Sequence, residues 1–466
     1  MPPQIKGPGP APAREQLAEV RPDLLERYDA ALPEARAAIL GRLLTALDRE
    51  PLGVDRPTDP GTDPAALAAR LWPAATLADE IADSVTNLAL ALANRPESAD
   101  LPAPGDPEAL GKTEQMLLDG HPLHPCCRTR TGMTVADVLA YAPEHRPVIR
   151  LRRLRVPADR WYGTGQPVLY AHPWQAHRIL AHHPWITDAG PTRPVRPLMS
   201  LRTVAPISGG PHIKTAVDVQ MTSAVRTVSP AAVHNGPILS RLLTQLTADL
   251  PIEILAETEA GAVITDNGPD RHLAHLVRRA PRLARGERAV PLGVLAAVPA
   301  WLAETGDPYT IWEELGSKLF APLATVLDRG VALEAHGQNT LAVLRDGHVQ
   351  RILYRDLGGV RVRRSLLKEQ GIDLHGDLPT DDETALRTKM AAAAIGTVAT
   401  QLIGALTTHR GADPDRLWAT LAGHLREIPD LLTAPVPVKA TTAMRLADDP
   451  LHDIWTHQPN PMAVYA

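Results

Sequence analysis

The stretch GHPLHPCCRTRTG, from Gly120 to Gly132, sets two histidines, two adjacent cysteines and two arginines among prolines. Two chemistries compete for it. His121, His124, Cys126 and Cys127 are zinc-ligand types, whereas Arg128 and Arg130 are anion-binding types. A structural zinc site needs a closed set of ligands, neighbouring cysteines do not chelate one ion together, and the chain holds no other cysteine. Pro122 and Pro125 also disfavour the helix that would bring both imidazoles onto one face. The reading that survives is a proline-stiffened turn presenting His124, Arg128 and Arg130 to an anion. A structural histidine is the alternative at either imidazole.

Two further stretches hold the residue types for phosphate and metal chemistry. SLRTVAPISGGPHIKTAVDVQMTSAVRTV contains Ser200, Arg202, Thr203, Lys214, Thr222, Ser223 and Arg226. Arginine forks, a lysine point charge and short hydroxyl hydrogen bonds together suit a polyphosphate and a carboxylate. Seven of the 48 basic side chains are lysines, so an arginine says little here and Lys214 says more. HIKTAVDVQMT alternates as a strand, with Lys214, Ala216, Asp218, Gln220 and Thr222 on its polar face. Further on, LEAHGQNTLAVLRDGHVQRILYRDLGG has two β-like runs about Asp346-Gly347, a hairpin dipeptide. An ideal turn pairs Arg345 with His348 and sets Gly337 opposite Asp356 and Asn339 opposite Tyr354. Asn339 and Asp356 then share one face as diagonal neighbours, with Glu334, His336 and Gln338 at the same open end. Asn339 and Asp356 are hard-oxygen donors suited to Mg2+ on nucleotide phosphates, a layout comparable to that of protein kinases. A polar surface is the alternative for both stretches. YAHPWQAHRIL repeats the His-Pro theme at His172 and Pro173, where Trp174 and Gln175 read as a packing corner.

These residues need a scaffold. A chain of 466 residues exceeds one compact core. Only 3% of it is aromatic, with Phe320 the single phenylalanine, so alanine and aliphatic side chains must fill the interior. A net charge of −5 gives no footprint for nucleic acid or an anionic membrane. Two adjacent cysteines make no disulfide framework, which fits a reducing cytoplasm. MPPQIKGPGPAPAR lacks the apolar run of a signal peptide and reads as a Pro-rich tail. The run from Met390 to Leu406, interrupted by Thr397, Thr400 and Gln401, reads as a buried Ala-rich helix rather than a membrane span. The expected organisation is a disordered tail over 1–15, helices over 16–119, a β-rich region over 120–290, and over 291–466 the hairpin at 333–359 with helices and a loop-rich end.

Taken in order, these segments resemble the NRPS-independent siderophore synthetases, the IucA/IucC-like family. GHPLHPCCRTRTG is similar to that family's GHPxHPxxKxRxG signature, with YAPEH, Tyr141 to His145, following it. HPWQ (His172 to Gln175), SLRT (Ser200 to Thr203) with the Lys214 and Arg226 segments, and LEAHGQNTL with RDLGG (Arg355 to Gly359) are similar to further signatures. KATTAMRL…NPM resembles the family's C-terminal region, itself similar to ferric-iron reductases. Arg128 stands where the family has lysine, a bidentate fork in place of a point charge. The resemblance implies an α+β fold shaped as a cupped hand: a helical thumb (16–119), β-rich fingers (120–290) and a mixed palm (291–466).

The activity implied is ATP-dependent condensation of a carboxylic acid, citrate-like or another dicarboxylic acid derivative, with an amine or alcohol, releasing AMP and pyrophosphate. In that scheme Ser200, Arg202, Thr203 and Lys214 hold the phosphates of ATP. His336, Gln338, Asn339 and Asp356 hold nucleotide and Mg2+, with Glu334 as a supporting ligand of metal and substrate. Arg226, Thr222 and His124 orient the carboxylate and stabilise the adenylate, Lys214 acts with them, and Arg130 lines the substrate side. His121 and Arg128 shape the site. The partners are small-molecule acids and amines, and a homodimer stays open. So do two other readings: a kinase-like phosphotransferase releasing ADP, and a non-catalytic scaffold of a biosynthetic complex. A reductase would need about four thiolates for an iron–sulfur cluster, and the chain has two.

Overall fold

Apolar residues spaced three and four apart turn the N-terminal part of the chain into helices: Pro10–Val20, Leu25–Arg49, Pro64–Leu71, Leu77–Ala93 and Ala109–Glu114. The structure, a computed structural model, describes residues 9–98, 100–222, 224–449 and 452–466. In Leu25–Arg49 the buried stripe is Tyr28, Ala31, Ala35, Ile39, Leu43 and Leu47. It packs on Leu77–Ala93, which is buried nearly all round. Pro10–Val20 corrects the expected tail. Prolines are tolerated in a first helical turn, and Ala13 and Leu17 bury fully in the helical core, so the chain is helical from residue 10. Residues 1–8 of the expected tail lie outside the described residues.

The helix Leu77–Ala93 also carries a polar stripe, Glu80, Asp83, Ser84 and Asn87, at helical spacing and buried. Its partners are the irregular residues 128–130. Thr129 Oγ1 donates to the Glu80 carbonyl at 2.8 Å, and the Arg130 N–H donates to Asp83 Oδ2 at 2.7 Å. The Arg128 N–H donates to Ser84 Oγ, and Asn87 Nδ2 donates to the Arg128 carbonyl, both at 3.0 Å. Buried backbone outside regular structure must find such partners.

A six-stranded antiparallel sheet runs in the order Trp161–Gly163, Glu257–Thr265, Gly268–Arg278, His212–Thr215, Thr203–Pro206, Val195–Pro197. A four-stranded sheet runs Ile252–Ile254, His348–Tyr354, Thr340–Arg345, Arg288–Pro291, its first pair parallel. Arg152–Arg155 and Val168–Ala171 pair antiparallel in a smaller sheet. The single strand expected over residues 212–222 is two. His212–Thr215 belongs to the large sheet, and Val217–Met221 pairs with Ala224–Arg226 in a separate ribbon. Gln175 holds the break: its Nε2 donates to the Ala216 carbonyl at 3.0 Å and its Oε1 accepts the Asp218 N–H at 2.8 Å. The change of sheet interrupts the alternation, so Asp218 is exposed and Gln220 buried. His172 caps the helix Pro173–His182 by accepting the Trp174 N–H.

The hairpin turns at Asp346 (φ +52°) and Gly347 (φ +81°), as its dipeptide requires. A Cβ at Gly347 would also sit 3.0 Å from the Gly306 nitrogen. Arg345 pairs with His348 as expected. Gln350 is then bulged out between the Leu344–Val349 and Val343–Arg351 pairs, so Thr340, not Asn339, faces Tyr354. Asn339 faces Arg355 instead, whose N–H donates to the Asn339 carbonyl at 3.0 Å.

Trp301, Trp312, Phe320 and Tyr354 lie in an otherwise aliphatic C-terminal core. Residues Glu383–Arg410 form one helix with a π-helical stretch at Ala392–Ala399. It is long and apolar enough to cross a membrane, yet Met390, Ile395, Val398, Leu402 and Leu406 sit in the core, as expected of a buried helix. Where only loops are expected near the end, Val436–Lys439 pairs with Trp455–Gln458. Helices combined with mostly antiparallel sheets make the α+β class. Ser84→Ala would strand the buried Arg128 N–H, and we expect a stability loss of about 1–3 kcal/mol. The urea midpoint should fall at constant m; an unchanged midpoint would show that the stripe is not needed.

Candidate active site

The opening motif is a buried post. Arg128 Nη1 meets Glu144 Oε2 at 3.1 Å, and Arg130 Nη2 meets Glu144 Oε1 at 3.2 Å. Against the cost of burial, the two guanidinium groups hold Glu144 down at about 2. Arg128 further donates Nε to the Leu118 carbonyl (2.8 Å) and Nη2 to the carbonyls of Leu117 (2.6 Å) and Asp119 (2.8 Å). Both arginines are therefore committed to the fold. Arg130, 1% exposed, is not available to a substrate carboxylate, which corrects its expected place. Of the two imidazoles, His121 is exposed and His124 is buried. Burial, with His121 and Arg226 nearby, pushes His124 well down and keeps it neutral. Its Nδ1 accepts the Cys126 N–H at 3.0 Å, so the proton resides on Nε2. Cys126 and Cys127 pack in the helical core.

The second group gathers on the large sheet. Thr203 and Lys214 are direct cross-strand partners, and His212 is paired with Arg278 two residues along, so all four share one face. Ahead of Thr203 the chain turns tightly: Leu201 has a φ of +64°, and Ser200 Oγ accepts the Thr203 N–H at 3.3 Å. Lys214 Nζ meets both carboxylate oxygens of Asp356 at 2.7 Å. Against burial, Lys214, Arg202 and Arg278 hold Asp356 well below the usual carboxylate range. Arg202 donates to the Thr227 carbonyl and Arg226 to Thr222 Oγ1. Thr222 is itself left-handed, with a φ of +57°. Ser223 lies outside the described residues. Among the described residues no carboxylate forms an ion pair with Arg202, Arg226 or Arg278. Burial and neighbouring arginines depress Arg226 and Arg278 to about 10 each; they stay charged, and crowded.

At the open end of the hairpin, Asp356 leaves the strand with a φ of +68°, which aims its carboxylate at Lys214. His336 Nδ1 accepts the Gln338 N–H at 3.3 Å, and the Gln338 carbonyl accepts Nε and Nη2 of Arg355 at 3.0 and 2.9 Å. Asn339 is buried, and its side-chain amide has no hydrogen-bond partner among the described residues. Glu334 corrects its expected role as a metal ligand. Its Oε1 lies 2.9 Å from Nζ of both Lys389 and Lys439, and these lysines meet Asp453 at 3.1 and 3.0 Å. Against burial, Lys439 and Lys389 hold Glu334 at about 2. The network passes close to Gly359, where a Cβ would sit 1.9 Å from Glu334 Oε2.

The structure thus brings Ser200, Arg202, Thr203, Lys214, Thr222, Arg226, Asn339 and Asp356 around one basic cluster, with His336 and Gln338 at its edge, and diverts Arg130 and Glu334 into ion pairs. The unpaired cations suit anionic ligands. Asn339 and Asp356 are the oxygen donors present that could take a divalent cation, once Lys214 yields. Arg278, Glu144, Lys389 and Lys439 were not among the expected site residues. The scarcity of lysine points to the two lysines, whereas nothing separates Arg278 from the other arginines in the sequence. A groove of about 220 Å3 lined by Thr384, Arg387, Ile395, Pro437 and His457 contains none of these residues. Arg128→Lys keeps a charge opposite Glu144 but cannot span three carbonyls. We expect a loss of about 1–3 kcal/mol in chemical denaturation; wild-type stability would show that the fork is dispensable.

The IucA / IucC family model matches residues 109–167 and 164–297, and the model of the ferric iron reductase FhuF-like transporter matches 316–464. Staphyloferrin A synthase of Staphylococcus aureus is 26% identical over 412 residues, covering 72% of this chain and 69% of that protein. D-ornithine–citrate ligase of the same organism is 24% identical over 466 residues, covering 75% and 70%. The petrobactin biosynthesis protein AsbB of Bacillus anthracis superposes with a TM-score of 0.72 at 19% identity, covering 84% of this chain and 79% of that one. ATP-bound aerobactin synthetase IucA of Klebsiella pneumoniae gives 0.70 at 19% identity, covering 85% of each; at such identities the shared feature is the fold. The motifs in order, the matched models and the common fold all relate this chain to the IucA/IucC family and to NRPS-independent siderophore synthetases.

Proposed function

We propose that this chain is an ATP-dependent ligase that joins a citrate-like carboxylic acid to an amine or alcohol, releasing AMP and pyrophosphate, in the making of a siderophore or a related natural product. The observation that carries the proposal is the excess of positive charge: Arg202, Arg226 and Arg278, none in a salt bridge among the described residues, crowd with Lys214 around the carboxylates of Asp356 and Glu257. Two anions brought together, a triphosphate and a carboxylate, relieve that crowding. Relatives named for joining D-ornithine or L-2,3-diaminopropanoate to citrate support the choice of acid and amine.

In this reading Ser200, Arg202, Thr203 and Lys214 bind the phosphates, and Arg226 with Thr222 fixes the carboxylate. Asn339 and Asp356 would hold Mg2+, which would neutralise charge on the phosphates. A carboxylate oxygen attacks the α-phosphorus, the bond to pyrophosphate breaks, and an acyl-adenylate forms. The amine then attacks the acyl carbon, and AMP leaves with the carboxylate oxygen. Alignment of the two anions, triphosphate and carboxylate, is the main demand, and fixed cations meet it without reorganisation. His124, neutral with its proton on Nε2, serves as a hydrogen-bond donor and not as a cation. A reductase reading of the C-terminal match lacks thiolates, since both cysteines, Cys126 and Cys127, fall outside residues 316–464.

Incubation with ATP, Mg2+, citrate and a diamine distinguishes the ligase from a kinase-like enzyme. We expect AMP and pyrophosphate in equal amounts, dependent on the acid; ADP would contradict the proposal. Arg226→Ala should lower acid-dependent pyrophosphate release about 100-fold or more at an unchanged melting temperature. Wild-type rates would overturn its assignment.

A further inference from the structure

We infer that Glu114, which lies outside every motif of the site, is a positioning residue that holds the two halves of the nucleotide site against each other. The inference rests on the ATP-binding reading above. Glu114 ends the helix Ala109–Glu114, and its side chain is fully buried. Its Oε1 lies 2.6 Å from Arg355 Nη1, and its Oε2 accepts the Met199 N–H at 3.0 Å. Met199 adjoins Ser200, and Arg355 adjoins Asp356. One carboxylate therefore anchors the turn that carries Ser200, Arg202 and Thr203 and the hairpin end that carries Gln338, Asn339 and Asp356. Arg355 completes the tie on its own side through its two bonds to the Gln338 carbonyl and its N–H bond to the Asn339 carbonyl. Gln115 reinforces the other side: its Nε2 donates to the Pro197 carbonyl at 3.1 Å, and its Oε1 accepts from Arg196 Nη1 at 3.1 Å.

The backbone shows why such an anchor matters. Leu201 and Asp356 are left-handed without being glycine. Each lies within two residues of a group that Glu114 holds. Strained backbone of this kind persists only where its surroundings over-determine it, and here the strain aims Asp356 at Lys214 and closes the Ser200 turn. Released from Glu114, either segment can relax while the sheets beneath it stay intact. The expected consequence is selective: nucleotide binding suffers, and the carboxylate side around Arg226 does not.

The test is made on the full chain with MgATP as the probe, by calorimetric binding and by steady-state kinetics. Glu114→Gln alone leaves Arg355 buried without a counter-ion and risks unfolding. The informative variant is the double substitution Glu114→Gln, Arg355→Met, which removes both charges together and keeps an acceptor for the Met199 N–H. We expect its melting temperature to match wild type within a few degrees, its ATP affinity to fall about 10- to 100-fold, and its KM for ATP to rise while its KM for the acid holds. ATP binding at wild-type strength would overturn the inference. So would a parallel loss of melting temperature, ATP binding and acid KM, which marks a merely structural pair. If wild-type protein itself does not bind MgATP, it is the nucleotide reading that fails.

Discussion

The Lys214–Asp356 ion pair is the constraint on which the site depends. Lys214 rises from the large antiparallel sheet, Asp356 comes from the end of the hairpin in the second sheet, and their contact is two-pronged at 2.7 Å. Each charge offsets the cost of taking the other out of water where the two sheets meet. The pair therefore fixes how the two sheets face each other. In the proposed reaction a phosphate would compete for Lys214 and a cation for Asp356, exchanging one internal ion pair for two external ones.

Around this pair the arginines divide by the company they keep. Arg128 and Arg130 share Glu144, Arg355 has Glu114, and Arg445 has Glu80. These hold helices, loops and the C-terminal segment together. Arg202, Arg226 and Arg278 form no salt bridge among the described residues and crowd around the pair, with Glu257 beside Arg278. In a chain so rich in arginine, the presence or absence of a buried carboxylate separates structural from functional cations better than residue type does.

Much of the fold was legible because it follows local rules. The helical spacing of Tyr28, Ile39 and Leu43, the Asp346-Gly347 turn and the buried helix through Met390 and Leu406 are each written in nearby residues. Long-range contacts were not legible. A bulge at Gln350 displaced Asn339 by one position, because register beyond a turn depends on packing that the turn does not encode. The ion pairs of Glu334 were hidden because Lys389 and Lys439 lie far along the chain. That of Arg130 was hidden because Glu144 comes from a neighbouring motif. The break at Ala216, held by Gln175, hid behind a clean alternation.

The central claim is that a carboxylate attacks the α-phosphorus of ATP. It is tested most directly by supplying the acid with isotopically heavy carboxylate oxygens and analysing the products of amide formation by mass spectrometry. The account predicts one heavy oxygen in AMP and none in pyrophosphate. Heavy oxygen in inorganic phosphate, with ADP as the nucleotide product, would mean attack on the γ-phosphorus and would contradict it.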